Sequence, residues 1–463
     1  MRPFLALLLF TVCALAACKK DSFITSPDAQ LRTSEEKITF DTVFTSVGSV
    51  TKFFRIYNSN DQKLRISSVK LAGGASSAFK INADGFKGPE INNLEMEAGD
   101  SMYVFVSVRI DPAGGTLPFV VQDSISITYN GKTDWVQLEA WGQNANFLRG
   151  RKLTGNVVWD NRLPFVILDG LLIDTTATLT IEKGTKVYLH ADAPFIVDGT
   201  LKVMGEHFDS TRVQFTGDRL DEPYKSFPGS WPGIYFRGSS RNSELNFVTI
   251  ANAFQGVVVE KPSINTNPKL VLNGCIIDNV YDVGILGLQT SIEARNCVVS
   301  NCGKNIILAY GGNYNFNHCT VAAFSNSYIL HKEPVLQVTN FVKEGTGFLT
   351  ADLTAVFRNS IFWGEGGSVD DEVFVGKQGN TAFDVSFANC LWRVTNVPAN
   401  TTRTNILSNV DPRFDTVDNQ KRLYNFRLQT GSPAINAGMI TSVLTDITGK
   451  PRTGSPDLGA YEH

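Results

Sequence analysis

The second half of the chain alternates short apolar runs with polar and glycine residues, and this pattern repeats every 22 residues. Cys275, Cys297 and Cys319 mark the repeat, and each is followed by two β-branched residues. The register continues at later apolar positions, among them Ile285, Ile307 and Ile329. A period in the low twenties is typical of solenoids, in which each repeat forms one coil stacked on the next. Because helical repeats are longer and lack this β-branched texture, we predict a parallel β-helix.

A different alternation precedes the solenoid, with strand-like runs about every ten to fifteen residues between Lys37 and Gly142. This spacing predicts a β-sandwich of immunoglobulin type over residues 36–145, without the Cys…Trp…Cys signature of antibody domains. Its phrases, from Phe40-Asp41-Thr42-Val43-Phe44 to Val136-Gln137-Leu138-Glu139-Ala140-Trp141-Gly142, resemble the sandwich domains of the abnormal-spindle/hydin kind. The resemblance implies a spacer or an interaction module.

Composition and charge narrow the function classes. The chain has 463 residues, is 43% hydrophobic and 19% charged, and carries a formal net charge of −3. These values describe a folded protein that is long enough for two or more domains. Positive and negative residues are nearly equal in number, so the chain lacks the basic surface that nucleic-acid binding requires. We therefore expect no nucleic-acid partner.

The first residues predict export and a lipid anchor. Met1-Arg2 is a short positive region, and the apolar stretch from Pro3 to Leu15 is too short for a typical membrane span. Leu15-Ala16-Ala17-Cys18 resembles the lipobox of bacterial lipoproteins, which implies a signal peptide over residues 1–17 and lipid attachment at Cys18. Lys19-Lys20-Asp21 resembles the surface-export signals of Bacteroidetes-type lipoproteins. We read residues 18–35 as a tether and expect an outer-membrane protein on the cell surface, with the periplasmic face left open.

Phrases of the solenoid resemble known secreted proteins. Lys183-Gly184-Thr185-Lys186-Val187 and Trp231-Pro232-Gly233-Ile234 are similar to phrases of bacterial β-helix proteins of the pectin-lyase-like superfamily. The resemblance implies an all-β chain in which a right-handed parallel β-helix over residues 146–463 follows the sandwich. The ending, with Gly431-Ser432-Pro433-Ala434 and Asp457-Leu458-Gly459-Ala460, resembles the carboxy-terminal segment of the same proteins. We therefore expect residues 411–463 to cap the last coil.

Five cysteines remain within the solenoid after Cys13 and Cys18: Cys275, Cys297, Cys302, Cys319 and Cys390. None has the spacing of a zinc site. Stacked coils lie about 4.8 Å apart, so disulfides between neighbouring coils are open geometrically. We favour a row of buried thiols that act as small hydrophobic residues.

The superfamily contains polysaccharide lyases and glycoside hydrolases, so the residues for such chemistry were sought. Asp278, Asp282 and Lys304 are the outward candidates, with Lys304 placed one coil after Asp282. A lyase would bind Ca²⁺ through several oxygen ligands and use a basic residue, so Ca²⁺ is expected only under the lyase alternative. A hydrolase would need two carboxylates at a suitable separation. No stacked row of acids is visible, so no catalytic residue and no metal ligand is assigned.

Interruptions of the repeat point to ligand binding instead. The period stretches near residues 331–352 and 364–384, and insertions in solenoids form loops on one side, often the binding side. Asp370 and Asp371 lie in the second insertion, and Trp363 and Trp392 follow equivalent strands close to these loops. We expect the two tryptophans to be exposed rings for carbohydrate binding.

These observations favour a lipid-anchored, non-catalytic β-helix that binds a polysaccharide or a surface protein, or that has a structural, adhesin-like role. The alternative is a carbohydrate-active enzyme, either a polysaccharide lyase or a glycoside hydrolase. That alternative depends mainly on the fold, which by itself is weak support for an activity.

Overall fold

The computed structural model describes residues 22–44, 49–111 and 119–463. The predicted signal peptide and the lipid-attachment residue Cys18 lie outside these residues. No helix within the described ranges is long and apolar enough to cross a membrane. The described chain is almost entirely β, with two short 3₁₀ helices at Gly74–Ser76 and Tyr224–Ser226.

By its contacts the chain divides into two compact units, residues 1–144 and 145–463. The first unit contains two five-stranded sheets that share one hydrophobic core, with Phe54, Ile66, Val104 and Ile127 fully buried. In sheet order, the first sheet is formed by Leu31–Thr33, Lys52–Asn58, Ser101–Val108, Phe79–Ala83 and Phe86–Gly88. The second is formed by Lys37–Phe44, Lys132–Gln143, Phe119–Tyr129, Leu64–Leu71 and Glu90–Met96.

The predicted tether extends too far along the chain. Leu31–Thr33 pairs antiparallel with Lys52–Asn58, and Ala29 is fully buried. Asn130 also donates hydrogen bonds to the carbonyl oxygens of Ile24 and Ser26. The described part of the tether is therefore held against the first unit by backbone pairing that its polar composition did not reveal.

The second unit is built on one 24-stranded sheet whose coils pair in parallel, which fits the predicted parallel β-helix. It starts with Asn146–Leu153, and most coils contribute a strand to each of three faces. The first face stacks Asn156–Trp159, Thr178–Glu182, Thr200–Met204, Ser243–Asn246, Leu270–Asn273, the second halves of Val283–Arg295 and Lys304–Asn317, Leu353–Arg358, and the first halves of Phe383–Trp392 and Thr402–Ser408.

The other two faces follow in chain order within each coil. The second face stacks the first half of Phe165–Ile173, then Lys186–Leu189, Val213–Gly217, Val248–Ala251, Ile276–Asp278, Val298–Ser300, Thr320–Phe324, Ile361–Glu365, and the last residues of Phe383–Trp392 and Thr402–Ser408. The third face stacks the second half of Phe165–Ile173, then Phe195–Val197, Ile234–Phe236, Gln255–Glu260, the first halves of Val283–Arg295 and Lys304–Asn317, Leu336–Thr339 and Val373–Gly376.

The five solenoid cysteines point into the coils. All are buried, and none forms a disulfide. Burial raises the pKa of Cys390 to about 12, and it raises the pKa of Cys297 as well. Such thiols stay protonated and pack as small hydrophobic residues. The prediction of a buried thiol row is confirmed.

A row of residues in the left-handed conformation turns each coil from the first face to the second. It consists of Gly274, Asn296, His318, Asn359 and Asn389, with φ between 50° and 63°. Glycine and asparagine suit this conformation, and His318 is the exception. Its imidazole is buried, and Nε2 accepts a hydrogen bond from the Asn359 side chain at 2.9 Å. We call these five residues the asparagine row.

His318 should make stability fall in weak acid. Burial and, to a smaller extent, the nearby Arg452 charge lower its pKa from an ordinary value of 6.5 to about 3. Below pH 6.5 the unfolded chain binds a proton that the folded chain does not, so the free energy of unfolding should drop by about 2 kcal/mol by pH 5. Denaturant titrations at pH 7 and pH 5 would measure this drop. In the His318→Asn variant, which matches the rest of the row, this part of the drop should disappear; an unchanged drop would contradict the assignment.

Both insertions are structured. Within the first, Phe341–Glu344 and Gly347–Thr350 form an antiparallel hairpin that interrupts the coil. Within the second, Val373–Gly376 pairs in parallel with Leu336–Thr339, so this segment continues the third face. The first of the two predicted loops thus contains a hairpin. The second contains an additional strand of the coil and the segments that connect it.

The carboxy-terminal segment is not an end cap. Its hairpin, Phe414–Asp418 with Leu423–Leu428, and the residues that follow pack on the outside of the second face. The shared cluster joins Phe414, Ile447 and Leu458 with Val298, Ile361 and Leu391. Side chains of the asparagine row donate hydrogen bonds to its backbone, at Thr445, Met439 and Ala437. The predicted position of the segment was wrong. The outward residues of the second face are apolar, and the segment packs on them and shields them from solvent.

Candidate functional site

Two aromatic rings protrude from neighbouring coils at the turn between the second and third faces. Phe254 is 44% exposed and Tyr281 is 56% exposed, and their ring centroids are 5.5 Å apart at an angle of 23°. Each ring follows a fully buried residue, Ala253 and Val280, which anchors the turn in the core. The backbone is fixed in the same way, because Tyr281 N–H donates to the Ala253 carbonyl at 2.9 Å. The rings are therefore displayed on a rigid part of the coil.

Glycines keep this aromatic pair accessible. Gly303 takes the position of Tyr281 in the next coil, where a Cβ atom would collide with the carbonyl oxygen of Tyr281. The next coil therefore places no side chain over the Tyr281 ring at this position. On the other side, Gly229 lies beside both rings, since a Cβ there would be 3.5 Å from Tyr281 and 4.0 Å from Phe254.

A polar row runs next to the rings. The Gln255 side-chain amide donates to Asp282 at 3.0 Å, and Lys304 Nζ lies 3.1 Å from the other Asp282 oxygen. The ion pair is partly exposed, with 38% of the Lys304 side chain and 30% of the Asp282 side chain accessible. The predicted placement of Lys304 one coil after Asp282 is confirmed. We call Phe254, Tyr281, Gln255, Asp282 and Lys304 together the aromatic corner.

Asp278 lies in a separate polar network. Its carboxylate accepts hydrogen bonds from Ser300 Oγ at 2.6 Å and Asn301 Nδ2 at 3.2 Å. Burial raises its pKa, an effect that these two hydrogen bonds partly oppose. It lines a small pocket of about 200 Å³ together with Asn279 and Arg422. Asp278 and Asp282 accept hydrogen bonds from different groups and so belong to two separate networks.

The two adjacent acids of the second insertion, Asp370 and Asp371, have different surroundings. Asp370 is exposed. Asp371 accepts hydrogen bonds from the backbone N–H groups of Thr395 and Asn396, at 2.6 and 2.7 Å, and one from the Asn396 side chain. Asp371 thereby fixes the adjoining loop and is not directed at a ligand.

The two predicted tryptophan platforms are buried. Trp363 is 6% exposed, lies under the carboxy-terminal segment, and donates to Glu365 at 2.8 Å. Trp392 is 1% exposed, belongs to the interior of the coils, and donates to Ser408 at 2.9 Å. Neither ring can receive a sugar, so the prediction of exposed platforms was wrong.

The sequence pattern singled out Trp363 and Trp392 as aromatic platforms but not Phe254 or Gln255. Both lie 27 residues before Tyr281 and Asp282, the offset that also separates Val248 from Cys275. That offset was the signal that could have found them. Another polar pair joins the two insertions: His331 of the first and Glu372 of the second have side chains 2.8 Å apart and almost fully buried. Among the described residues, no group of three or more His, Cys, Asp or Glu side chains is arranged to hold a metal ion.

Comparisons with known proteins place the chain in no family. No family model matches it, and no curated protein matches it. A family 123 glycoside hydrolase from Clostridium perfringens is 11% identical over 25% of this chain and 26% of that chain, with a TM-score of 0.19. The SafA pilin of Salmonella enterica in complex with the SafB chaperone is 11% identical over 26% and 57%, with a TM-score of 0.18. The CooA pilin of enterotoxigenic Escherichia coli is 10% identical over 26% and 99%, with a TM-score of 0.20. Identities and TM-scores this low support no conclusion about the fold or the function of this chain.

Proposed function

We propose that the protein is a lipid-anchored, non-catalytic glycan-binding β-helix that uses the aromatic corner. The observation that carries the proposal is the exposed pair Phe254 and Tyr281 beside the polar row of Gln255, Asp282 and Lys304. Exposed rings provide an apolar surface for the C–H groups of a sugar, and adjacent polar groups fix the orientation of its hydroxyls. The corner offers an amide, a carboxylate and an ammonium group within one short row.

The hydrogen bonding of the acids supports binding over catalysis. Asp282 is held by Gln255 and Lys304, and Asp278 by Ser300 and Asn301. A glycoside hydrolase needs two carboxyl groups that face one bond, and a lyase needs a free base near its cation. Lys304 is paired with Asp282, and the two carboxylates belong to different networks. The aromatic corner thus lacks the facing carboxyl groups of a hydrolase and the free base of a lyase.

The remaining features belong to the same proposal. Lipidation at Cys18 would anchor the chain to the outer membrane, and the first unit would act as an immunoglobulin-like spacer that carries the β-helix away from the bilayer. The stacked coils would provide a rigid support for the corner, and rigidity favours binding because less conformational entropy is lost.

Alanine substitutions test the corner. Tyr281→Ala and Phe254→Ala should each weaken retention by a bound polysaccharide about tenfold, because each removes stacking area. The measurement is affinity electrophoresis across a panel of polysaccharides. Phe374→Ala is the matched control, since Phe374 is 48% exposed on the third face of the same unit and should bind as the wild type does.

The same panel tests for catalysis. Release of unsaturated or reducing products that stops in Asp282→Asn or Asp278→Asn would overturn the non-catalytic proposal. Equal retention of Tyr281→Ala, Phe254→Ala and the wild type would overturn the aromatic corner as the binding site.

A further inference from the structure

A polar groove opens at the other end of the strand Val283–Arg295 from the aromatic corner. It has a volume of about 660 Å³, within the range of about 300–1,000 Å³ that is usual for ligand sites. One wall is the loop of residues 262–268, and the floor is formed by outward side chains of successive coils on the first face. None of the residues that line the groove belongs to the aromatic corner. The groove is therefore separate from the corner.

Tight turns between the third and first faces form the floor. Gln289 has a φ of 47°, and Gly312 has a φ of 118°. A Cβ atom on Gly312 would collide with the carbonyl oxygen of Thr290 in the preceding coil. These turns let two coils approach closely, and they leave the polar groups of Gln289, Thr290 and Asn313 along the groove.

Thr290 carries a hydrogen-bonding group without a partner. Its residue is 2% exposed, and Oγ1 makes no hydrogen bond to any described residue. A buried hydroxyl in this state is unfavourable unless a ligand or water bonds to it. Thr290 lines the groove, so a rotation about its Cα–Cβ bond that turns Oγ1 toward the groove would let an occupant supply that bond.

The charges around the groove select the occupant. The charged residues in its lining are two acids, Glu293 and Asp352. The nearby arginines are engaged, since Arg295 lies 3.3 Å from Glu293 and Arg358 donates to Asn315 at 3.3 Å. A polyanion would meet two carboxylates and no cationic side chain among the residues that line the groove, which is unfavourable. An uncharged ligand with many hydroxyls would meet amides, hydroxyls and carboxylates that can each form a hydrogen bond.

We propose that this groove is a second binding site, specific for an uncharged, hydroxyl-rich oligosaccharide and closed to uronic-acid chains. The proposal goes beyond the aromatic corner and does not depend on it. Peptides bind in grooves through apolar anchors or by main-chain pairing with an open sheet edge. The side chains that line this groove are mostly polar, and its strands already pair with both neighbouring coils, so carbohydrate suits it better.

Calorimetric titration with cellotetraose, maltotetraose and a tetramer of galacturonic acid tests the proposal. At least one neutral tetrasaccharide should bind, and the uronate should not. Thr290→Val keeps the shape and removes the hydroxyl, so the neutral ligand should bind about fivefold more weakly. Gln289→Gly removes an amide and relieves the left-handed backbone, which protects the fold, and should also weaken binding.

The corner variant Tyr281→Ala separates the two sites. Binding of the neutral tetrasaccharide that survives in Tyr281→Ala and falls in Thr290→Val supports the groove. The proposal is overturned if none of the tetrasaccharides binds, if the uronate binds best, or if binding is unchanged in both Thr290→Val and Gln289→Gly. Loss of all binding in Tyr281→Ala would assign the ligand to the corner alone. Equal binding of a glycine–serine tetrapeptide would overturn the carbohydrate assignment.

Discussion

Replacing Phe357 by alanine should lower the free energy of unfolding by about 3–5 kcal/mol. The Phe357 side chain is fully buried between the rings of Phe316 and Phe387, at centroid distances of 5.5 and 4.8 Å. Phe362 contacts the same stack edge-on at 5.7 Å. Truncation would remove apolar contacts from three coils and leave a cavity that stacked, hydrogen-bonded strands cannot close. Urea titration followed by tryptophan fluorescence would measure the change.

The control for Phe357→Ala is again Phe374→Ala. Phe374 is half exposed on the outside of the third face, and its loss should change the free energy of unfolding by less than about 0.5 kcal/mol. Similar effects of the two substitutions would mean that the interior stack does not pack as described.

Removal of the Arg452 side chain should be about as damaging, with a loss of about 3–5 kcal/mol in Arg452→Ala. The guanidinium is 2% exposed and lies 2.6 Å from the Glu462 carboxylate. It also donates to Asn296 and to the Gly459 carbonyl, both at 3.0 Å. The substitution would leave the Glu462 carboxylate, which is 10% exposed, and two acceptors without their donor. Urea titration at pH 7 would measure the loss.

A double substitution separates the charge effect from packing. Arg452→Met with Glu462→Gln removes the unpaired charge and keeps most of the volume, so it should recover part of the stability lost in Arg452→Ala. A double variant as unstable as Arg452→Ala would show that the contacts to Asn296 and Gly459, and not the ion pair, carry the stabilisation.

The sequence predicted the parts of the fold that repeat. The interval between Cys275, Cys297 and Cys319 set the register of three coils, and it placed Lys304 next to Asp282 before any distance was known. Inward cysteines and outward acids could be assigned because side chains alternate along a strand. The repeat therefore carries enough information for neighbouring coils.

The same alternation could not decide which outward residues reach solvent. Trp363 does point away from the coil, but the carboxy-terminal segment covers it, and no periodicity reports that contact. Trp392 follows an equivalent strand and yet points inward. Thr290 lacks a partner only because of how the turns at Gln289 and Gly312 meet, which is a property of the assembled coils. The hydrophobic periodicity therefore could not predict which residues are buried by distant segments or which single groups lack a hydrogen-bond partner.

The carboxy-terminal segment has a consequence for the order of folding. In a solenoid each coil contacts its neighbours, so coils can form one after another as the chain emerges. Here Arg212 donates to the Ile447 carbonyl across 235 residues, and Thr320 accepts from the Ala460 N–H across 140 residues. Contacts of such sequence separation raise the contact order and slow folding. The coils that contact the segment therefore complete their folding only after the last residues of the chain are present. These residues then join the coils into one cooperative unit.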